Sequence, residues 1–238
     1  MGQSGRMLTT EMDRIRSLRL FREVSEQNFA ELARYAGRKR LAPYTTLIVE
    51  GEHCRFLHLV LEGTIELFSR RGRREASIGV VQPTDAFFIA SSIYDLPCPA
   101  SVRTTEPSLV FRIPAGAART VFERDPGFAR SVLAEGTRSF RRMTMELKAQ
   151  RLSTSIERLA NWLLVQEESH GRNGGLRLPY DKRTLAAHLG MNPENLSRNF
   201  ALLSGHGVEV HGRDLVVSDL EKLAAFAKPA RDIGDWDY

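Results

Sequence analysis

The segment from residue 181 to residue 203 restricts the fold more than any other part of the sequence, because it encodes two short helices separated by one tight turn. Gly190 lies where the first helix must end sharply, and glycine adopts the left-handed backbone conformation at little cost. Asn192 can cap the second helix, and Pro193 suits its first turn. This order predicts a helix-turn-helix. The apolar residues expected to face a shared core are Leu185, Ala186, Leu189, Leu196, Phe200 and Leu203.

Three polar residues near the start of the second helix lie opposite its apolar face. A helix that enters the major groove of DNA contacts bases with its N-terminal residues. Arg198 can bind the O6 and N7 atoms of guanine, Glu194 can accept from the amino group of cytosine, and Ser197 can reach a base or a phosphate. Glu194 and Arg198 are also four residues apart, so a surface ion pair is a second interpretation. Such a pair would orient the arginine as well.

Residues around the turn are candidates for contacts with the DNA backbone. Arg183 and Thr184 lie early in the first helix, where a support helix crosses the phosphates. A solvated helix residue is an equally good interpretation of Arg183. Asn192 completes the set of candidate DNA contacts. Residues 208–217 then predict a two-stranded wing that turns at residues 211–213.

Residues 41–114 follow a different pattern from the helical segments. Short apolar runs, such as residues 56–61, are separated at regular intervals by glycine and proline. This spacing predicts an antiparallel barrel or sandwich. Residues 64–68 alternate between apolar and polar side chains, so one face of that strand should be buried and the other wet. With helices before and after the strands, we expect an α+β fold.

A long helix is predicted from residue 125 to residue 152. Asp125 can cap it and Pro126 suits its first turn. Its apolar residues recur at alternating steps of three and four over about three heptads, which is typical of a seam between two helices. An ordinary amphipathic helix packed on its own domain is the alternative, and we favour self-association. The predicted dimer interface consists of Leu133, Gly136, Phe140, Met143 and Leu147.

Composition adds only weak constraints on the partner. Lys and Arg number 34 against 29 Asp and Glu, and this net charge of +5 permits a polyanionic partner without proving one. The two cysteines, Cys54 and Cys98, are too few for a disulfide framework or for a four-thiolate cluster within one chain. We expect buried, inert thiols. A redox pair would require their Cα atoms to lie within about 7 Å.

Several classes of protein are disfavoured by missing patterns. The N-terminal residues have no apolar core of signal-peptide length, and no stretch approaches the roughly 20 apolar residues of a membrane span. We therefore expect a cytoplasmic protein with reduced thiols and no membrane partner. The sequence contains no nucleophile elbow, Walker loop, HExxH motif or paired catalytic carboxylates at motif spacing. It predicts neither an enzyme nor a metal site.

Taken together, the motifs resemble the CRP/FNR superfamily of bacterial transcription regulators from about Leu18 onward. Residues 47–52 and 57–63 are similar to the glycine-punctuated strands of the family's cyclic-nucleotide-binding-type roll. Residues 193–198 match the FNR-like recognition helix, in which Glu-x-x-Ser-Arg reads a half-site of the TTGA type. The resemblance implies a jelly-roll-like antiparallel β-roll, a long dimerisation helix and a winged helix-turn-helix.

The resemblance also implies a domain order and partners. We expect a sensor β-roll over residues 13–124, a dimerisation helix over 125–152, a winged helix-turn-helix domain over 153–228 and a flexible tail over 229–238. The implied function is sequence-specific regulation of transcription by a homodimer on a palindromic operator. The implied partners are double-stranded DNA, a second copy of the chain and RNA polymerase.

The sensor region departs from the cyclic-nucleotide-binding members of the family. In those members a Gly-Glu pair and an Arg-Ser or Arg-Thr pair grip the ribose and the cyclic phosphate. Here Phe87 and Phe88 take the first positions, and Cys98 and Pro99 take the second. A buried phosphate without a cation would be poorly compensated, which argues against cAMP and cGMP. The region is either filled by its own side chains or holds an apolar small ligand. The candidate pocket residues are Phe87, Phe88, Ile89, Ser91, Ser92, Tyr94 and Cys98.

The effector therefore stays unknown at the level of sequence. The family's iron–sulfur mechanism needs clustered N-terminal cysteines, and none precedes Cys54, so we do not expect it. Haem-based members use histidine or other axial ligands. His53 and His58 are five residues apart and fall on opposite faces of a strand, so we interpret both as surface or turn residues. A haem-based gas sensor and a ligand-binding module without specific DNA binding remain the alternatives.

Overall fold

A computed structural model of the chain describes residues 9–72, 74–169, 175–178 and 181–228. The predicted flexible tail, residues 229–238, lies outside these residues. The chain divides into two compact units, Met1–Met143 and Thr144–Tyr238, and their boundary falls inside the predicted dimerisation helix. Among the described residues, no helix is long and apolar enough to cross a membrane.

The first unit combines strands with flanking helices. Its strands are β1 (Gly37–Leu41), β2 (Thr46–Ile48), β3 (Phe56–Glu62), β4 (Ile65–Arg71), β5 (Arg74–Val81), β6 (Ala86–Phe87), β7 (Ser101–Thr104) and β8 (Ser108–Pro114). Its helices are α1 (Thr9–Arg16), α2 (Glu26–Tyr35), α3 (Ile89–Ile93), α4 (Ala115–Arg124) and α5 (Pro126–Leu152), and α5 continues into the second unit. These elements confirm the α+β class.

The strands form two four-stranded antiparallel sheets, in the orders β1-β8-β3-β6 and β2-β7-β4-β5. Successive side chains of a strand point to opposite faces of the sheet. In β3, Leu57 and Leu59 belong to the core shared with the helices. Val60 instead joins a second core, between the two sheets, together with Val102 and Val110. This arrangement confirms the predicted β-roll.

Asp125 joins separate parts of the first unit at the start of α5. Its Oδ1 accepts a hydrogen bond from the backbone N–H of Phe128 (2.9 Å), which is the predicted helix cap. Its Oδ2 accepts from the backbone N–H of Ser25 (3.0 Å), from the Ser25 hydroxyl (2.8 Å) and from Nδ2 of Asn28 (2.8 Å). One buried carboxylate therefore holds the starts of both α2 and α5.

Three details of the first unit differ from the sequence predictions. Helix α1 begins at Thr9, before the predicted start of the sensor domain at residue 13. Strand β1 begins at Gly37, before residue 41, where the strand pattern is predicted to start. Helices α3 and α4 are not predicted from the sequence, because α3 has only five residues and α4 buries two alanines and a valine, which give a weak apolar pattern.

The second unit contains the end of α5 and the C-terminal elements. After α5 these are α6 (Ser155–Ser169), β9 (Gly175–Arg177), α7 (Lys182–His188), α8 (Pro193–Leu203), β10 (Val208–His211), β11 (Asp214–Val217) and α9 (Leu220–Ala227). The strands pair antiparallel in the order β10-β11-β9. Two helices followed by a two-stranded wing confirm the predicted winged helix-turn-helix.

Replacing Asp125 should destabilise the first unit. In Asp125→Ala the four donors of Ser25, Asn28 and Phe128 lose their acceptor, and we expect the free energy of unfolding to fall by about 3 kcal/mol. Burial alone raises the pKa of this carboxyl, but the hydrogen bonds from Asn28, Phe128 and Ser25 outweigh burial and hold the pKa well below its usual range. This contribution is therefore complete above the unfolded pKa of about 4 and is lost as the pH falls further.

Urea unfolding followed by circular dichroism, at about pH 7 and about pH 3, measures both effects. Glu52→Gln, which changes an exposed carboxylate of the same unit, is the matched control. Equal free energies of unfolding for wild type and Asp125→Ala at neutral pH would contradict the role assigned to Asp125.

Candidate nucleic-acid interface

Side-chain caps begin both α7 and α8, and a glycine turns the chain between the two helices. The Asp181 carboxylate accepts a hydrogen bond from the Thr184 N–H (2.7 Å) at the start of α7. At the start of α8, Oδ1 of Asn192 accepts from the Asn195 N–H (2.8 Å). Gly190 has a φ of +64°, in the left-handed region. The predicted cap residue and the predicted glycine turn are both confirmed.

Buried side chains determine which face of α8 points outward. All three of its predicted apolar residues are buried. Asn199 is buried as well, and its Nδ2 donates a hydrogen bond to the hydroxyl of Ser155 on α6 (3.0 Å). Rotation of α8 about its axis would break this bond and expose apolar surface, so the opposite face stays in solvent.

That solvent-facing side carries the three predicted base readers. Glu194, Ser197 and Arg198 are all exposed, near the N-terminal end of α8. In the part of the chain that the structure describes, no ion pair joins Glu194 and Arg198. The surface ion pair considered as a second interpretation is therefore absent here. The guanidinium of Arg198 can offer its paired donors to an external acceptor such as guanine.

The three candidates for contacts with the DNA backbone differ in how far their side chains are exposed to solvent. Arg183 is exposed on α7, as a phosphate contact requires. Thr184 is only 6% exposed, so its hydroxyl lies on the buried side of α7. Asn192 is exposed, but its side-chain oxygen is engaged in the cap of α8. Of these three residues, Arg183 has the clearest access to a phosphate.

The wing, formed by β10 and β11, lies beside the polar face of α8. Its turn contains Gly212, with a φ of +68°. Arg213 donates a hydrogen bond to the Leu178 carbonyl (3.1 Å), which ties the wing to the residue after β9. A shallow groove between α8 and β10 is lined in part by Ser197 and His211. The turn of the wing and the start of α8 can therefore contact one ligand.

Arg158 is a positioning residue that the sequence pattern does not reveal. This arginine on α6 donates to the carbonyls of Leu189 (2.8 Å), Gly190 (3.3 Å) and Ser153 (2.7 Å). Burial lowers the pKa of its guanidinium. Arg158 thus ties the turn before the recognition helix to the junction between α5 and α6. Only its place beside buried Leu159 could have drawn attention to it.

The predicted dimer interface forms an exposed apolar stripe on α5. Leu133, Phe140, Met143 and Leu147 are between 49% and 71% exposed. At Gly136 an added Cβ would meet nothing within 4 Å. Exposed apolar residues at heptad spacing are typical of a helix that packs against another helix.

The predicted effector-pocket residues lie on and around α3. Phe87, Ile89, Ser91 and Ser92 are buried, Phe88 is partly buried, and Tyr94 is exposed. Phe87 is part of the core between the two sheets, and Phe88 packs against that core. The Ser92 hydroxyl donates to the carbonyl of Phe56 (2.9 Å). Side chains of the roll itself therefore occupy this region.

The interpretation of His58 as a surface or turn residue is wrong. His58 is 5% exposed, and its ring stacks on Phe87 with centroids 5.1 Å apart. Burial, reinforced by the charge of Arg112, lowers the pKa of His58 to about 4, so the ring is neutral near pH 7. His53, by contrast, is exposed, as expected. The described residues contain no group of three or more His, Cys, Asp or Glu side chains arranged to hold a metal ion.

The expectation of inert thiols is also wrong. Cys54 and Cys98 form a disulfide, with Cα atoms 5.7 Å apart. Both residues are buried in the core between the sheets. The sequence could not show this pairing, because 44 residues separate the two cysteines and only the fold brings them together.

Comparisons with known proteins agree with this architecture. The cyclic nucleotide-binding domain family matches residues 38–125, and the Crp-like helix-turn-helix domain family matches residues 157–226. A candidate cAMP-binding regulatory protein from Silicibacter pomeroyi DSS-3 is 27% identical, with a TM-score of 0.63 over 93% of this chain and 100% of that one. Comparison with curated proteins gives no match.

Two more solved structures have the same fold at lower identity. FixK2 from Bradyrhizobium japonicum is 18% identical, with a TM-score of 0.71 over 80% of this chain and 96% of that one. A candidate transcriptional regulator of the CRP/FNR family from Eubacterium rectale is 14% identical, with a TM-score of 0.65 over 88% of this chain and 98% of that one.

Two of these structures are described as regulatory proteins, one of them as a transcriptional regulator of the CRP/FNR family, and neither is described as an enzyme. The two matched families stand in the order that the sequence predicts, with the nucleotide-binding type of roll first and the helix-turn-helix last. The exposed polar face of α8 is built as a DNA-reading helix requires. The chain therefore combines a domain of the cyclic nucleotide-binding family with a domain of the Crp-like helix-turn-helix family.

Proposed function

We propose that this protein acts as a homodimer that binds a palindromic operator with half-sites of the TTGA type. The observation that carries the proposal is the polar face of α8, where Glu194, Ser197 and Arg198 are exposed while the apolar face is buried. Arg183 adds a phosphate contact from α7. The excess of basic residues, 34 against 29 acidic ones, suits a polyanionic partner.

The three exposed residues match the chemistry of such a half-site. The guanidinium of Arg198 can donate two parallel hydrogen bonds to O6 and N7 of guanine. The carboxylate of Glu194 can accept from the N4 amino group of a cytosine on the other strand. Ser197 can donate to a base or a phosphate. A TTGA half-site offers one guanine, paired with one cytosine, within reach of a single helix.

Dimerisation follows from the apolar stripe on α5. Pairing two such stripes about a two-fold axis would bury Leu133, Phe140, Met143 and Leu147, which are exposed in the single chain. Gly136 on the same stripe would allow the two backbones to approach closely. Two recognition helices related by that axis would read the two halves of a palindrome.

The signal that controls DNA binding is proposed to be something other than a cyclic nucleotide. Cys98 stands where cyclic-nucleotide-binding members carry the phosphate-binding arginine, and it is bonded to Cys54. Phe87 and Phe88, which replace the ribose-binding pair, belong to the packing of the roll. A cyclic phosphate here would lack a cation. RNA polymerase as a partner and a cytoplasmic location follow from the family resemblance.

Arg198→Ala should weaken discrimination at one base pair. We expect a loss of about 2 kcal/mol in preference for guanine, because alanine cannot replace the two hydrogen bonds. Fluorescence anisotropy with a palindromic TTGA duplex, and with the same duplex changed at its guanine, measures the preference. Arg183→Ala is the matched control, since loss of a phosphate contact weakens binding to both duplexes equally. An Arg198→Ala protein that still prefers the original duplex would contradict the assignment.

Phe140→Glu should dissociate the dimer. A carboxylate on each side of the two-fold seam would be buried near its symmetry mate, and we expect the dissociation constant of the dimer to rise about a hundredfold or more. Native mass spectrometry across a range of protein concentrations reports the change. Ala134→Glu, on an exposed part of α5 away from the stripe, is the control and should remain dimeric. A dimer that is equally stable in both variants would place the interface elsewhere.

A further inference from the structure

The Cys54–Cys98 disulfide joins two segments at one end of the roll. Cys54 lies between β2 and β3, and Cys98 lies between α3 and β7. Both residues are 1% exposed and belong to the core between the sheets, as does Phe87. The bond therefore links the segment before β3 to the segment before β7 inside this core.

The backbone keeps the two cysteines together independently of the bond. The Gly51 N–H donates to the Cys98 carbonyl (2.9 Å), and the Cys98 N–H donates to the Glu52 carbonyl (2.8 Å). His53 and Pro97 form a β-bridge between the same segments. Because these contacts do not involve sulfur, the thiols of the reduced protein would remain neighbours and could be reoxidised.

We propose that Cys54 and Cys98 form a reversible redox site whose state sets the conformation of the α3 segment and thereby controls DNA binding. The proposal rests on the proposed DNA-binding function and names the signal for it. A protein that works on chromosomal DNA operates in a reducing compartment, where disulfides are usually transient and catalytic or redox-sensing. A disulfide in such a protein is better suited to sensing than to permanent stabilisation.

The chemistry requires a dithiol as reductant. One thiolate of the dithiol attacks one sulfur of the pair and displaces the other as a thiolate, which leaves a mixed disulfide. The second thiol of the reductant then displaces the first sulfur. Two electrons and two protons pass to the pair, so Cys54 and Cys98 become thiols and the reductant becomes a disulfide. Access to the buried sulfurs requires local opening of the exposed turn that contains Tyr94 and Leu96.

Reduction must displace atoms, because the core is close-packed. Two bonded sulfurs lie about 2.0 Å apart, whereas non-bonded heavy atoms in contact lie roughly 3.5–4.0 Å apart. Cys54 precedes β3, which is paired on both sides in its sheet, with β8 and with β6. Cys98 instead follows an exposed turn, held by the Leu96 N–H donating to the Ser91 carbonyl (3.0 Å). The movement therefore falls on the α3 side.

Helix α4 is placed to receive this movement. The Arg119 guanidinium donates to the Ser92 carbonyl (3.1 Å) and pairs with the Asp95 carboxylate (3.0 Å). The rings of Tyr94 and Phe122 meet edge to face, 6.2 Å apart. Helix α4 ends at Arg124, next to the carboxylate that caps α5. Direct contacts within the first unit thus join the turn before Cys98 to α3 and join α3 to α4. Helix α4 in turn ends beside the start of α5.

The test compares the full-length protein after treatment with dithiothreitol and after treatment with oxidised dithiothreitol. Alkylation and mass spectrometry count the free thiols. Hydrogen exchange reports on residues 89–98 and 115–124, and anisotropy gives the affinity for a palindromic TTGA duplex. We expect reversible conversion between no free thiol and two, faster exchange in both segments after reduction, and an affinity change of about tenfold or more. Cys54→Ser and Cys98→Ser should make exchange and affinity insensitive to either treatment.

Each result decides a separate point. Identical exchange and identical affinity in the two wild-type states would overturn the redox site and leave a purely structural bond, and so would a redox response that persists in both serine variants. Failure of both wild-type states to bind the duplex would contradict the proposed function, while the exchange comparison would still decide whether the pair changes the α3 segment. The wild-type comparison needs no substitution, so a variant that fails to fold does not affect it.

Discussion

The burial of one face of α8 is the constraint on which the DNA-reading surface depends. Three apolar side chains and Asn199 hold this face in the core of the second unit, and the bond from Asn199 to Ser155 stops the helix from rolling. Arg158 adds a second restraint, because it binds the carbonyls of the preceding turn. The polar face is therefore presented in one orientation before any DNA arrives. Preorganisation of this kind lowers the entropic cost of binding.

The roll has the architecture of a cyclic nucleotide-binding domain, and its own side chains pack the core between the sheets. Phe87 lies in the core between the sheets, the His58 ring stacks on it, and Cys98 of the same core is bonded to Cys54. Burial keeps the His58 ring neutral near pH 7. The neighbouring helix α3 still contacts α4, as a sensor would require. Side chains of the roll thus pack the interior next to α3, and α3 is joined to α4 by a direct hydrogen bond.

Sequence patterns predict local features of this protein better than long-range ones. The turn at Gly190, the caps at Asn192 and Asp125 and the exposure of Arg198 all follow from spacing within a few residues, and all are found in the structure. The disulfide and the burial of His58 depend on segments that are distant in the chain, so spacing within a few residues predicts neither of them. No sequence pattern marks Arg158, because its partners are backbone carbonyls, which every residue type carries. Helices α3 and α4 were missed because they are short or bury small side chains.

Selection of bound duplexes from a randomised pool tests the central claim most directly. The full-length protein would be mixed with the pool at two salt concentrations, and the retained sequences would be read. A two-fold symmetric dimer with Glu194, Ser197 and Arg198 as base readers predicts enrichment of an inverted repeat of TTGA-type half-sites, with their centres about one helical turn apart. It also predicts retention that falls steeply as salt rises. A pool with no enriched sequence, or retention indifferent to salt, would contradict the account.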